Sequence, residues 1–172
     1  HDQSSAASDV YKRQVSESLA DVYRDRILRG TGPGGFYSGS KLGALGSDLG
    51  AIACFFNAPW SKLSLELSKP DQAWLLNEAA FMLRALGRLG ESIEPMRAGI
   101  EGAVKLEDWQ NAAIYSSNLS ELELTLGEVS GALSDAERSV TYADRSRDAF
   151  QRMSKRTTCL LYTSPSPRDV RS

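Results

Sequence analysis

Two stretches of equal length decide the fold: LGRLGESIEPMRAGIEGAVKLED at residues 86–108 and LGEVSGALSDAERSVTYADRSRD at residues 126–148. Each begins with Leu-Gly and ends with Asp, and the apolar positions of the first recur 40 residues later in the second. The matched pairs are Leu89 and Val129, Ile93 and Leu133, Met96 and Ala136, Ile100 and Val140, and Ala103 and Ala143. Apolar residues at this spacing and at a constant offset predict a repeated helical unit.

A further helix is predicted in front of each stretch. Ser68, Pro70 and Asp71 form an N-terminal capping signal. The apolar stripe that follows consists of Leu76, Ala79, Ala80, Leu83 and Leu86, and that of the next unit of Leu119, Leu122, Leu126 and Val129. The sequence therefore predicts units of helix, glycine turn and helix, over about residues 68–107 and 108–147, with a third beginning at residue 148.

Residues 15–67 are predicted to form a helical pair with a loop. One helix covers residues 19–27, a flexible GTGPGG connector covers residues 30–35, and a second helix runs over about residues 38–56. A less regular loop follows over residues 60–67. Glycine inside a helix costs about 1 kcal/mol relative to alanine, so close approach of a neighbouring helix is expected at Gly43, Gly46 and Gly50.

The predicted fold class is all-α, with antiparallel helical hairpins stacked as an α-solenoid. One hairpin cannot bury its apolar stripe alone, and stacked neighbours bury it together. The alternative is an ordinary antiparallel helical bundle in which the 40-residue recurrence of apolar positions arises by chance.

The two ends of the chain can be encoded by complementary strands of one DNA element. SSAASDVYKRQ at residues 4–14 and CLLYTSPSPRD at residues 159–169 both resemble translated sequencing adapter. Codons of the second can read TGTCTCTTATACACATCT, whose reverse complement AGATGTGTATAAGAGACA fits codons of the first in another frame. Unrelated protein tails have no physical reason to encode opposite strands of one element. We therefore interpret residues 1–14 and 159–172 as adapter-derived tails, the alternative being a pair of ordinary polar tails.

On this interpretation the natural part is residues 15–158, an internal piece of a longer protein. Neither tail carries an apolar periodicity, so both are predicted to be disordered. Of 20 basic and 22 acidic residues, the tails hold four and three, which leaves 16 and 19. This balance gives no basic excess for nucleic acid or an anionic membrane.

No transmembrane segment is predicted, because the longest apolar run, residues 42–56, is shorter than a span of roughly 20 residues and contains Asp48. The tails also hold His1 and Cys159, which leaves Cys54 as the one cysteine and no histidine. A lone cysteine forms no internal disulfide, which favours a cytoplasmic location.

The candidate chemistry argues against an enzyme. Gly34 to Gly39 has phosphate-loop spacing, but the following order is Ser40-Lys41 where such a loop needs Lys before Ser or Thr. Cys54 has no histidine to activate it, so packing is the simpler reading. Glu121 and Glu123 point about 200° apart on a helix and do not converge. We expect no catalytic residues, no cofactor and no metal site.

Mostly small residues occupy matched positions in both units. These are Ala79-Ala80 and Leu119-Ser120 at the predicted helix crossing, Gly87 and Gly127 at the turn, and Ser92 and Ala132 in the second helix, with Asn118-Leu119-Ser120 nine residues before its glycine. The units thereby resemble tetratricopeptide (TPR) repeats. They depart from that family in their period of 40 residues, in Glu123 at a usually aromatic position, and in the missing closing proline. The chain is also similar to bacterial repeat proteins that carry such repeats beside NTPase or other effector domains.

The resemblance implies a non-catalytic protein–protein interaction scaffold. In that family the first helices line a concave groove, which would here present Trp74, Asn77, Phe81, Arg84, Ser117, Asn118 and Glu121 to a peptide. The expected partner is a protein or peptide, which includes other domains of the same parent protein, and neither nucleic acid nor membrane. Packing of Trp74 and Phe81 on a neighbouring repeat is an open alternative. So is a role as an intramolecular spacer of a multidomain NTPase-type protein.

Overall fold

The structure, a computed structural model, describes residues 2–31 and 35–163. The described chain is mostly helical, which confirms the all-α class. It divides into two compact units, His1–Pro95 and Met96–Ser172. The elements in chain order are α1 (Asp2–Glu17), a π-helix (Ser18–Ile27), α2 (Tyr37–Leu42), α3 (Leu45–Ala53), β1 (Phe56–Ala58), β2 (Lys62–Leu63), α4 (Lys69–Ala85), α5 (Leu89–Lys105), α6 (Trp109–Thr125), α7 (Val129–Ser146) and α8 (Ala149–Thr163).

A single apolar cluster holds the first unit together. Leu19 and Tyr23 of the π-helix are four residues apart, so they lie near one another on its surface, and both are buried. α3 contributes Leu49 and Ile52, and α4 packs against α3. The other buried members are Leu28, Leu63, Leu67, Leu75, Ala79, Met82 and Leu83.

The predicted helix over residues 38–56 is wrong, because the structure breaks it into α2 and α3. Gly43 ends α2 with a φ of 64°, a left-handed conformation that glycine adopts without strain. The expected close approach at the glycines is also wrong, since a Cβ atom built on Gly43, Gly46 or Gly50 would meet nothing within 4 Å. Gly43 is there for a turn and not for contact.

Part of the predicted loop over residues 60–67 is a short hairpin. β1 and β2 pair antiparallel, with Phe56 opposite Leu63. Trp60 lies in the connecting turn with a φ of 58°, and its ring packs edge-on against Phe56 at 5.4 Å between centroids. The aromatic contact joins the turn residue to the first strand of the hairpin.

The start and end of α4 are as the sequence predicts. Ser68 Oγ accepts a hydrogen bond from the Asp71 amide at 3.2 Å, which satisfies a free helix N–H. Ala79, Ala80 and Leu83 are buried as expected, whereas Leu86 is exposed. Leu75, outside the predicted stripe, is fully buried.

The two glycine turns have the same local geometry. After α4, the Arg88 amide donates to the Leu83 carbonyl at 2.8 Å, and after α6 the Glu128 amide donates to the Glu123 carbonyl at 2.8 Å. The turn glycines, Gly87 and Gly127, have φ of 77° and 83°. Both turns are Schellman motifs, which satisfy the last helix carbonyls.

In the second unit, α7 packs against both α6 and α8. Ser120 Oγ donates to the Ala132 carbonyl at 2.6 Å, and both residues are buried, so small side chains let α6 and α7 approach closely. Asp108 and Asp148 cap the helices that follow them, accepting from the Asn111 amide at 3.1 Å and the Gln151 amide at 2.7 Å.

An aromatic stack covers one side of α6 and α7. The ring of Trp109 stacks on Tyr142 at 5.9 Å, and the Arg145 guanidinium lies 4.8 Å from the Trp109 ring centroid. A cation over an indole face is attracted by the ring quadrupole. This stack ties the start of α6 to the end of α7.

The prediction of disordered tails is wrong where the structure describes them. Residues 2–14 lie in α1, and residues 159–163 lie in α8. The first tail lacks glycine and proline and is continuous with a helix, so adding its residues to an existing helix needs no new nucleation. Residues 1 and 164–172 of the tails, and 32–34 of the connector, lie outside the described residues.

Candidate functional site

Two of the predicted groove residues in the first unit, Trp74 and Arg84, are partly buried. Trp74 packs inside this unit, edge-on against Tyr23 at 6.2 Å, and the Arg24 guanidinium lies 4.2 Å above its ring. Arg24 also forms an ion pair with Asp71 at 2.7 Å. The indole face that was expected to receive a ligand is therefore already covered by an arginine.

The other two, Asn77 and Phe81, line a cavity of about 370 Å³ in the first unit. Phe81 is 50% exposed, and the Asn77 Oδ1 atom is buried with no hydrogen-bond partner among the described residues. Of the four residues predicted on this face of α4, Phe81 is exposed, and the feature beside it is a cavity that the sequence did not indicate.

The groove residues predicted on α6 are less accessible. Ser117 is only 3% exposed. Asn118 and Glu121 are partly buried. Burial lowers the pKa of Lys155 on α8, and the nearby Glu121 carboxylate opposes that shift. Glu121 therefore faces a lysine of its own unit.

The cavity has mostly apolar walls and two carboxylates. Its apolar lining comes from Leu28, Phe36, Leu45, Phe81 and Met82. The carboxylates belong to Asp48 on α3 and Glu78 on α4, and they are 3% and 6% exposed. Acidic groups this deeply buried are uncommon unless they are paired.

The break between α2 and α3 gives Asp48 its partner. Ser38 on α2 is buried, and its Oγ atom donates to Asp48 Oδ2 at 2.7 Å. Gly39 sits beside them, and a Cβ atom there would lie 3.2 Å from Leu45 Cδ2. A side chain at residue 39 would therefore crowd the cavity wall.

Glu78 has no such partner. It makes no hydrogen bond or ion pair to any described residue. Burial and the nearby Asp48 raise the pKa of Glu78 to about 7, and Arg24 opposes that rise. The hydroxyl of Tyr23 is also buried without a described partner, and burial together with the charges of Glu78 and Asp48 raises its pKa. The site is a desolvated acidic pair.

Sequence reasoning missed both carboxylates. Asp48 was read only as an interruption of an apolar run. Glu78 lies three residues after Leu75 and four before Met82, so helical spacing alone puts it on the buried face. An acidic residue within a buried stripe was the available signal.

Comparison with known proteins adds no assignment. No protein-family model, curated protein or solved structure matches the chain. Within the described ranges, no helix is long and apolar enough to cross a membrane. Over the same residues, no group of three or more His, Cys, Asp or Glu side chains could hold a metal ion.

Proposed function

We propose that the chain is a non-catalytic protein-binding scaffold of TPR type, located in the cytoplasm. One observation supports this most directly. The same Schellman turn occurs at Gly87 and at Gly127, which are 40 residues apart. The helices that precede these turns begin at Lys69 and Trp109, which are also 40 residues apart. A repeated unit of this kind is the building block of an α-solenoid.

The matched small residues are consistent with that proposal. Ala79, Ala80, Ser92, Ser120 and Ala132 are all buried. Small side chains at a helix crossing let backbones approach, which is what the TPR resemblance requires of these positions. The stacking of successive units into a solenoid is part of the proposal.

The proposed partner is a protein or peptide segment, including one from another domain of a longer parent protein. Phe81 offers an exposed aromatic anchor, and Asn77 is a partly buried amide on the same helix whose N–H groups can donate to a peptide carbonyl. The proposed contact in the first unit is the α4 face that carries Phe81. In the second unit the proposed groove residues are Ser117, Asn118 and Glu121, of which Ser117 and Glu121 lie 40 residues after Asn77 and Phe81.

Selection of displayed random peptides on the immobilised full chain tests this function. Selected peptides should bind Phe81→Ala and Asn77→Ala at least about tenfold more weakly than the unchanged chain, a loss of roughly 1.4 kcal/mol. Glu94→Ala is the matched control, because Glu94 is exposed on α5 and is not one of the residues that line the cavity. Failure to enrich any peptide, or binding that ignores all the groove substitutions, would refute the proposal.

A further inference from the structure

We propose that the cavity in the first unit binds an aliphatic ammonium group, with Glu78 and Asp48 as its counter-ions. The ligand chemistry is a positive nitrogen at the end of a short apolar chain, as in a small alkylamine or a lysine side chain. This inference does not depend on the scaffold function, because a free amine needs no partner protein.

The unpartnered carboxylate of Glu78 is the first reason. Glu78 is nine-tenths buried, lines the cavity, and has no hydrogen bond or ion pair to any described residue. A buried carboxylate without a partner is unfavourable unless a cation or donor reaches it. A bound ammonium would supply both the charge and up to three N–H donors.

The second carboxylate strengthens the argument. Ser38 satisfies one oxygen of Asp48, and Asp48 still disfavours ionisation of Glu78. Arg24 is the cation whose charge reaches Glu78, but its guanidinium is held by Asp71 and lies over Trp74. Arg24 therefore forms its ion pair with Asp71 and not with Glu78, so the Glu78 carboxylate is available to a bound cation.

The side chains that line the cavity indicate what the rest of the ligand, beyond its ammonium group, should be. The aliphatic side chains of Leu28, Leu45 and Met82 suit an alkyl chain. The aromatic rings of Phe36 and Phe81 suit a neighbouring cation. A cavity of about 370 Å³ is at the small end for ligand sites, which fits a short chain. Phe81, which lines the cavity, is half exposed.

Isothermal titration of the full chain with hexylamine near pH 8 tests the proposal. Hexylamine should bind, and hexanol, which has the same chain without the charge, should bind at least about tenfold more weakly. Glu78→Gln and Asp48→Asn should each weaken hexylamine binding about tenfold or more. Glu94→Gln, on the surface of α5, should leave the affinity unchanged.

Amide NMR spectra provide a second readout that does not depend on stability. Hexylamine should shift the resonances of Gly39, Asn77 and neighbouring cavity residues, and Glu78→Gln should keep a folded spectrum without those shifts. Binding of the N-acetyl, N-methylamide derivative of lysine would show that a protein side chain can enter, whereas binding of hexylamine alone would assign the site to small amines. The proposal is overturned if hexylamine fails to bind, if hexanol binds equally well, or if the Glu78→Gln, Asp48→Asn double variant binds hexylamine normally.

Discussion

At the scale of single residues, the carboxyl groups of Asp48 and Glu78 in the first unit are the side-chain groups whose burial costs the fold most. Glu78 lies among apolar side chains. Burial and the charge of Asp48 on α3 disfavour ionisation of its carboxyl group, and the charge of Arg24 on the π-helix favours it. The buried hydroxyl of Tyr23 belongs to the same group. Stability is lost wherever a buried charge lacks a partner, so this group should make the fold sensitive to pH.

Glu78→Gln should remove that sensitivity. The folded-state pKa of Glu78, about 7, lies above the ordinary 4.5, so the folded chain holds this proton more tightly than the unfolded chain does. The resulting stabilisation is present below pH 4.5 and is lost as pH rises through 7; it corresponds to roughly 3 kcal/mol. Urea unfolding followed by circular dichroism at pH 5 and pH 8 measures it.

Relative to the unchanged chain, the Glu78→Gln variant should therefore have a higher free energy of unfolding at pH 8 than it has at pH 5. Glu94→Gln, exposed on α5, should show the same pH dependence as the unchanged chain. An equal difference between Glu78→Gln and the unchanged chain at both pH values would contradict the prediction.

A second residue-scale prediction concerns Gly131 on α7. A Cβ atom there would lie 2.8 Å from Glu123 Oε2, and Glu123 is 4% exposed and accepts from Arg97 at 3.1 Å. Gly131→Ala should therefore gain less than the roughly 1 kcal/mol that alanine usually adds to a helix. In a Glu123→Ala background the full gain should return.

A double-mutant cycle by urea unfolding measures this coupling, which we expect to be about 1 kcal/mol. Gly50→Ala on α3 is the matched control, since its Cβ atom would meet nothing within 4 Å. Strict additivity of the Gly131 and Glu123 substitutions would show that the carboxylate moves aside at no cost.

At the scale of elements, the sequence predicts well where the signal is local. Ser68 and Gly87 mark the ends of α4 because capping and left-handed turns act through a few neighbouring atoms. The break at Gly43 was missed because an apolar stripe runs through it, and the periodicity hides the turn. The Ser38 partner of Asp48 and the proximity of Asp48 to Glu78 were missed because these groups come from different elements, and a stripe on one helix does not report what faces it.

The two turn glycines should be equivalent in energy as well as in geometry. Gly87→Ala and Gly127→Ala each force a side chain into a positive-φ conformation, which should cost about 1 kcal/mol or slightly more. Thermal unfolding by circular dichroism should show similar losses for both. Gly90→Ala, where a Cβ atom has open space, should be neutral or stabilising. A loss at one turn only would argue against equivalent units.

At the scale of the whole molecule, the interpretation of residues 1–14 as an adapter-derived tail predicts that they contribute little to stability. Residues 2–14 are helical, yet the described side chains from Asp9 to Gln14 are all exposed. Among residues 9–15, whose side chains are described, Val15 is the one that packs against the core cluster. Helical structure therefore begins before the first described contact with the core.

Deletion of residues 1–14 should consequently leave stability almost unchanged, within about 0.5 kcal/mol. The ion pair of Lys12 with Glu66, at 3.9 Å, is exposed on the lysine side and should contribute little. Urea unfolding midpoints of the full and shortened chains decide this. Deletion through Leu19, which is fully buried, is the contrasting variant and should destabilise the first unit markedly.

The stack of Trp109 on Tyr142 beneath Arg145 has a practical consequence for spectroscopy. The chain has three tryptophans, and Trp60 and Trp74 lie in the first unit while Trp109 lies in the second. Replacing Trp60 and Trp74 by phenylalanine would leave one indole, whose emission is set by a neighbouring guanidinium and phenol ring. Its fluorescence would then report the melting of the second unit alone, with no added dye.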